Sequence, residues 1–388
     1  MGPIILLGML EFVRCALVIS LLPLYGQYAA GFSLGTVGAA ISLHYLSDNL
    51  FRLPAGWVND RVGGKRLLLI GMVLSGLGIY LMYARWNTPV FLLGAVLFGL
   101  GVSPIWPVVT STVAASTSMD KIGQAMSRVF MAWLIGSGLG PVLVNFLIGQ
   151  SYALAFWSLL GVMGSALLIT AFSRFPLAAA EASKDFIAFL RELLQEFISL
   201  RVLYPGMLMQ TVSIGILLPV IAVYGRTVFD LSAEEFSYLL IGGGAFTVLL
   251  LAPAGKLADS LGVKRPLVIG FFGAAFLLAL LPLQRTLIPA LVIAALIGMA
   301  YAFILPAWNG LIARVLSPER RGSMWAVFMT IEGLGTALGA YAGGMVWEGF
   351  GQQAPFFLSA LILVVMAVFY WSSDLDRLMR VNGNRPEV

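Results

Sequence analysis

Residues 56–71 read Gly-Trp-Val-Asn-Asp-Arg-Val-Gly-Gly-Lys-Arg-Leu-Leu-Leu-Ile-Gly, and residues 255–270 read Gly-Lys-Leu-Ala-Asp-Ser-Leu-Gly-Val-Lys-Arg-Pro-Leu-Val-Ile-Gly. The two stretches align 199 residues apart. Two shorter matches lie at nearly the same distance: Pro104-Ile-Trp106 with Pro306-Ala-Trp308, and Leu22-Pro23 with Leu218-Pro219. The chain is therefore one unit written twice in parallel. Each quoted loop joins two long apolar runs, and a membrane-crossing helix needs about 20 mostly apolar residues. Measured so, twelve spans are predicted: 3–24, 34–57, 67–85, 89–115, 121–147, 152–173, 203–227, 234–257, 265–284, 287–315, 321–347 and 354–372. Runs such as Leu67 to Tyr83 do not alternate, so spanning helices are expected rather than a closed barrel.

Composition agrees. Of 388 residues, 60% are hydrophobic and 11% charged, against roughly 25% charged in a soluble domain. That excludes a cytosolic enzyme, a disordered regulator and a nucleic-acid-binding domain. Cys15 is the single cysteine and His44 the single histidine, which argues against a disulfide, a thiolate cluster or a His-ligated zinc site. Lys and Arg mark the cytoplasmic face of membrane proteins. With both termini inside, eighteen of the 23 basic residues fall on cytoplasmic segments. Arg85, Arg226 and Arg285 fall outside, and Arg14 and Arg52 lie within spans. The first span is not expected to be a cleaved signal peptide, because Glu11 and Arg14 sit in its middle.

The chain divides into an N-terminal six-helix half (1–173), a linker (174–202), a C-terminal six-helix half (203–372) and a cytoplasmic tail (373–388). In the linker, Phe186, Leu190, Leu193, Leu194 and Phe197 recur at helical spacing beside charged residues. This predicts an amphipathic helix on the inner membrane surface. In the first quoted loop, Gly56 permits close helix approach, Gly63 and Gly64 a tight turn, and Asp60 an ion pair or helix cap. With Arg61, Lys65 and Arg66, and with Asp259, Lys264 and Arg265 in the second copy, it resembles the signature loop of the major facilitator superfamily. These are candidate gating residues.

A charge at the bilayer centre costs at least ~2.5–3.5 kcal/mol, so each one asks for a reason. Glu11 and Arg14, three apart on the first span, share a face. His44, Asp48 and Arg52, spaced by four, share a face of the second. In the second half only Glu332 is found, in span 11. The polar residues thus predict a hydrophilic pocket in the N-terminal half. Glu11 or Asp48 is the candidate proton carrier, because burial and a nearby arginine push a carboxylate's proton affinity in opposite directions. Arg14 would hold the carboxylate. Arg52 is read either as a gate residue or as a snorkelling one, and Glu332 is left open. Trp106, between Pro104 and Pro107, is placed where a broken helix opens toward a cavity, and its indole suits a sugar ring.

Five stretches together resemble the glycolipid flippases of lipoteichoic acid synthesis, a branch of that superfamily. They are Leu10-Glu-Phe-Val-Arg14, Ser42-Leu-His-Tyr-Leu-Ser-Asp48, Val102-Ser-Pro-Ile-Trp106, Tyr204-Pro-Gly-Met-Leu-Met-Gln210 and Leu305-Pro-Ala-Trp-Asn309. The resemblance implies an all-α membrane protein of twelve helices in two halves. It would be a proton-coupled antiporter moving a diglucosyl-diacylglycerol anchor between leaflets, driven by the proton gradient without a cofactor. Glu11, Arg14 and Asp48 would form the polar pocket, lined by Trp106 and Trp133, with His44, Trp308 and Asn309 as further substrate contacts. The partners implied are a membrane glycolipid and protons, not nucleic acid, for a monomer in the bacterial cell membrane. Arg52 and Glu332 are charges that the resemblance does not imply. They keep open an alternative, a proton-coupled exporter of amphipathic drugs with an adaptable Met-rich and aromatic pocket. No nucleophile–base pair, metal site or nucleotide loop is apparent in the sequence, so a transporter is expected rather than an enzyme.

Overall fold

The computed structural model describes residues 2–84, 86–118, 121–173, 175, 203–315 and 321–373. Among these, the regular elements are helical and form twelve spans. The first half comprises α1 (Gly2–Tyr28), α2 (Leu34–Val62), α3 (Gly64–Ala84), α4 (Thr88–Ala115), α5 (Ile122–Ile148) and α6 (Tyr152–Phe172). The second comprises α7 (Tyr204–Val228), α8 (Ala233–Leu261), α9 (Lys264–Leu283), α10 (Leu287–Val315), α11 (Arg321–Phe350) and α12 (Ala354–Ser372). Ten of these are long and apolar enough to cross a membrane by composition alone. The other two, α2 and α11, are the spans that carry Asp48, Arg52, Glu332 and Glu348. The predicted amphipathic linker lies outside the described residues apart from Phe175, as does the tail apart from Ser373.

Three of the four repeated prolines lie where a helix deforms, while Pro306, the counterpart of Pro104, sits within an unbroken α10. α1 passes through a π-helical turn at Ala16–Leu21 before Pro23, and α7 is interrupted between Leu217 and Ile221, around Pro219. α4 breaks between Val102 and Ile105, at Ser103-Pro104. A proline lacks the N–H that would continue the ladder and clashes with the preceding turn. The turns ending α2 and α8 use Gly63 (φ +89°) and Gly262 (φ +78°), the same position in the two repeats, in a region that only glycine enters freely.

Within each half the same neighbours recur. α1 packs on α5, α2 on α4 and α3 on α6, and correspondingly α7 on α11, α8 on α10 and α9 on α12. The first of these contacts is a small-residue seam. A Cβ on Gly136 or Gly140 would run into the carbonyls of Gly8 and Phe12, and one on Gly335 or Gly339 into those of Leu208 and Val212. Small residues four apart let backbones approach where hydrocarbon provides no hydrophobic drive. Gly140→Leu is expected to cost about 1–3 kcal/mol by overpacking, read as a fall in the thermal midpoint of the detergent-solubilised protein. An unchanged midpoint would contradict this packing.

A second device closes each half. Lys65 Nζ donates to the carbonyl of Ala171 at 2.6 Å, and Lys264 Nζ to that of Ser373 at 2.9 Å. Each lysine at the start of a third span thus caps the end of the sixth, satisfying a carbonyl the helix leaves unpaired. On the outside, Ile70, Leu249, Phe276 and Ile288 are each more than half exposed. That surface suits hydrocarbon as its solvent.

The halves meet through α2 on α11 and α5 on α8. The closest contacts lie at the end of the bundle opposite the Gly63 and Gly262 turns, the far end. There Gly35 N–H donates to Glu348 Oε1 at 2.7 Å, and Asn145 Nδ2 donates to Ser237 Oγ at 3.1 Å. Arg226 stands over the Tyr28 ring, 4.8 Å from its centroid. The far end is therefore shut.

Candidate transport site

Glu11 lies on α1 one turn before the π-helical segment and is buried to 2% exposure. Arg14 Nε donates to its Oε2 at 2.9 Å, with a second, shorter contact from the Arg14 Nη2. The other oxygen, Oε1, accepts from Trp106 Nε1 at 2.8 Å. The break before Ile105 aims that indole at α1. Arg14 Nη1 also lies 3.5 Å from Asp48 Oδ2, and Arg52 Nη2 donates to the same oxygen at 2.7 Å. One continuous row results: Trp106, Glu11, Arg14, Asp48, Arg52. Its charges alternate, which is the arrangement that lets ions persist away from water. Leu10, Glu11, Arg14, Asp48, Val102, Ile105 and Trp106 surround the row, packed too closely to leave room for a water molecule.

The aromatic wall is composite. Trp106 meets Trp133 edge-on, with centroids 6.5 Å apart, and Phe130 at 5.9 Å. Trp133 is half-buried. Tyr45, which the spacing argument passed over, lies beneath Arg14, whose Cζ is 5.9 Å from the ring centroid. His44 stacks on Phe98 of α4 at 4.8 Å and meets Tyr45 edge-on at 5.0 Å, and both its ring nitrogens are buried without a partner.

Trp308 and Asn309 stand apart from this row, in the other half. Trp308 is buried and donates from Nε1 to Glu332 Oε1 at 3.0 Å, while Asn309, the next residue round the helix, is exposed. In the loops, Arg61 stacks on Trp57 at 3.4 Å, Gly56 faces Pro107, and Arg66, Asp259 and Arg265 are exposed. The side chain of Asp60 lies outside the described set. Among the described residues no group of three His, Cys, Asp or Glu side chains could hold a metal ion.

The whole chain can be set beside known proteins. It is similar to the proton-coupled antiporter flippase LtaA of Staphylococcus haemolyticus (strain JCSC1435), with 27% identity over 95% of this chain and 92% of that protein. Its likeness to the flippase of the same name from Staphylococcus aureus (strain MSSA476) is 28%, over 95% and 93%. Among solved structures, a bacterial homolog of the human lysosomal transporter Spinster superposes with a TM-score of 0.80 at 15% identity, covering 99% of this chain and 98% of that one. A D-xylose-proton symporter superposes with a TM-score of 0.75 at 17% identity, covering 96% of each. These two share the fold. The family model for the Major Facilitator Superfamily matches residues 4–247 and again 203–387. With the doubled six-helix architecture and its repeated loops, the chain belongs to the Major Facilitator Superfamily of transporters.

Proposed function

We propose that this transporter is a proton-coupled antiporter flippase, moving a glycolipid of the diglucosyl-diacylglycerol kind from the inner to the outer leaflet by alternating access. One observation carries the reading: the buried row Trp106–Glu11–Arg14–Asp48, in one half only. A sugar headgroup offers hydroxyls and flat faces, which carboxylates, a guanidinium and an indole recognise together. The acyl chains need only apolar wall. The relatives, proton-coupled antiporter flippases of staphylococci, support the same class.

In this reading the Gly63 and Gly262 turns face the cytoplasm, and the linker over 174–202 lies on the inner surface, as the basic residues suggest. The outer side is then the closed one in the described conformation, with Tyr28–Arg226 and Gly35–Glu348 as part of that closure. The Asp60 and Asp259 loops would steady the alternate closed state. Protonation of Glu11 or Asp48 loosens the hold on Arg14 and alters which state is preferred, as differential binding requires. The protein works as a monomer in a bacterial cell membrane and catalyses no chemical step.

The test is a proteoliposome assay with a fluorescent glycolipid, following its appearance at the outer face as pH is varied. The wild type should show a pH-dependent rate, and Glu11→Gln and Asp48→Asn should each flatten it. If both variants keep the wild-type rate and profile, the carrier assignment fails. If the lipid does not move while a pump-deficient host gains broad drug tolerance, the protein is a drug exporter instead.

A further inference from the structure

Glu332 is a charge the transport site does not use. It projects from α11, and Trp308 Nε1 holds its Oε1 at 3.0 Å. Trp308 is the repeat counterpart of Trp106, which holds Glu11 in the same manner. The two halves thus each present one tryptophan-held carboxylate. α11 also packs on α2 at this level, where a Cβ on Gly333 would overlap the side-chain amide of Asn49. Three residues along α2 is Arg52, 6% exposed, with one guanidinium edge on Asp48 and its Nε buried without a partner. Arg52 lies within electrostatic range of Glu332. Among the described residues Tyr301, from α10, is the other titratable side chain in that range.

With Glu332 across the seam, in electrostatic range of its Arg52 end, the row Glu11, Arg14, Asp48 and Arg52 becomes a set of three acids and two bases. Fully ionised, it has one negative charge too many, and an uncompensated buried charge is costly. One proton on one of the three carboxylates restores balance. We propose that Glu332 is a positioning residue for proton coupling, taking Arg52 from Asp48 when the proton resides on Asp48. With the proton on Glu332, Arg52 returns to Asp48. The protons enter from water on one side and leave to water on the other. Because Arg52 and Glu332 belong to different halves, the exchange reports the state of the sugar pocket to the α2–α11 seam.

This inference rests on the proton-coupled reading, and the experiment separates the two. Flipping of a fluorescent glycolipid is measured in proteoliposomes with and without an imposed gradient. One coupled proton makes a one-unit pH gradient worth up to about tenfold in rate. The wild type should show that acceleration, and Glu332→Gln should lose it, to within about twofold of its own gradient-free rate, while still flipping lipid at zero gradient. Glu332→Asp, which keeps the charge, should restore part of it, and this arm decides the matter if the amide variant does not assemble. Acceleration equal to wild type in Glu332→Gln, or Glu332→Asp no better coupled than the amide variant, overturns the role of Glu332 alone. A wild type indifferent to the gradient overturns the proton-coupled reading and this inference with it.

Discussion

Arg14→Met is expected to reduce transport by more than about 100-fold. Removing one partner from a buried ion pair costs roughly 3–5 kcal/mol, because the other is left charged and unpaired. Here two carboxylates depend on the same guanidinium. Glu11 would keep only the Trp106 N–H, and Asp48 only Arg52. Arg14→Lys should do less harm, about tenfold, since an ammonium is a point charge and lacks the fork that reaches both acids. The double variant Arg14→Met/Glu11→Gln should regain stability over Arg14→Met, as the orphaned charge disappears with its partner. Flipping rates in proteoliposomes and thermal midpoints in detergent read the two effects separately. An Arg14→Met protein that transports within about threefold of wild type would show that the row is structural ornament at that point.

The second large effect is mechanical. Tyr28 ends α1 and Arg226 lies near the end of α7, so they belong to different halves and meet only where the far end is shut. Both are exposed. In Tyr28→Cys/Arg226→Cys, a short bifunctional thiol reagent should bridge them and abolish transport, while either single variant treated alike stays active. Cys15 is buried and does not interfere. Full activity in the bridged protein would mean that the far end never opens. Cross-linking should also become slower under conditions that favour the opposite state, which gives a direct measure of how often the closure parts.

The twelve spans were legible because length and apolarity are what a bilayer demands of a helix. Pro104 and Pro107 announced the break in α4, because a missing N–H cannot be hidden. Helical spacing paired Glu11 with Arg14 and Asp48 with Arg52, and the resemblance grouped Glu11, Arg14 and Asp48 with Trp106. Spacing did not single out Tyr45, which lies beneath Arg14. It was silent too on what stands near Glu332. The arginine in electrostatic range of that residue, Arg52, belongs to the other half, and packing across a seam leaves no mark in local sequence. The glycines at 136 and 140 and at 335 and 339 did leave one, at the same 199-residue offset as the loops. They could have been read beforehand as the α1–α5 and α7–α11 contacts. The lysine caps could not, since a backbone carbonyl accepts whatever side chain it carries, alanine in one copy and serine in the other.

Those two caps also bear on the order of biosynthesis. Lys65 finds its acceptor 106 residues later and Lys264 finds its own 109 later, each at the end of the last helix of its own half. Neither half waits for residues of the other to close on itself. A chain leaving the ribosome can therefore complete one sealed bundle, insert the next, and join them last. The joint made last in assembly is the one that must come apart at every turnover. A defect confined to it would leave two sound halves and a silent transporter.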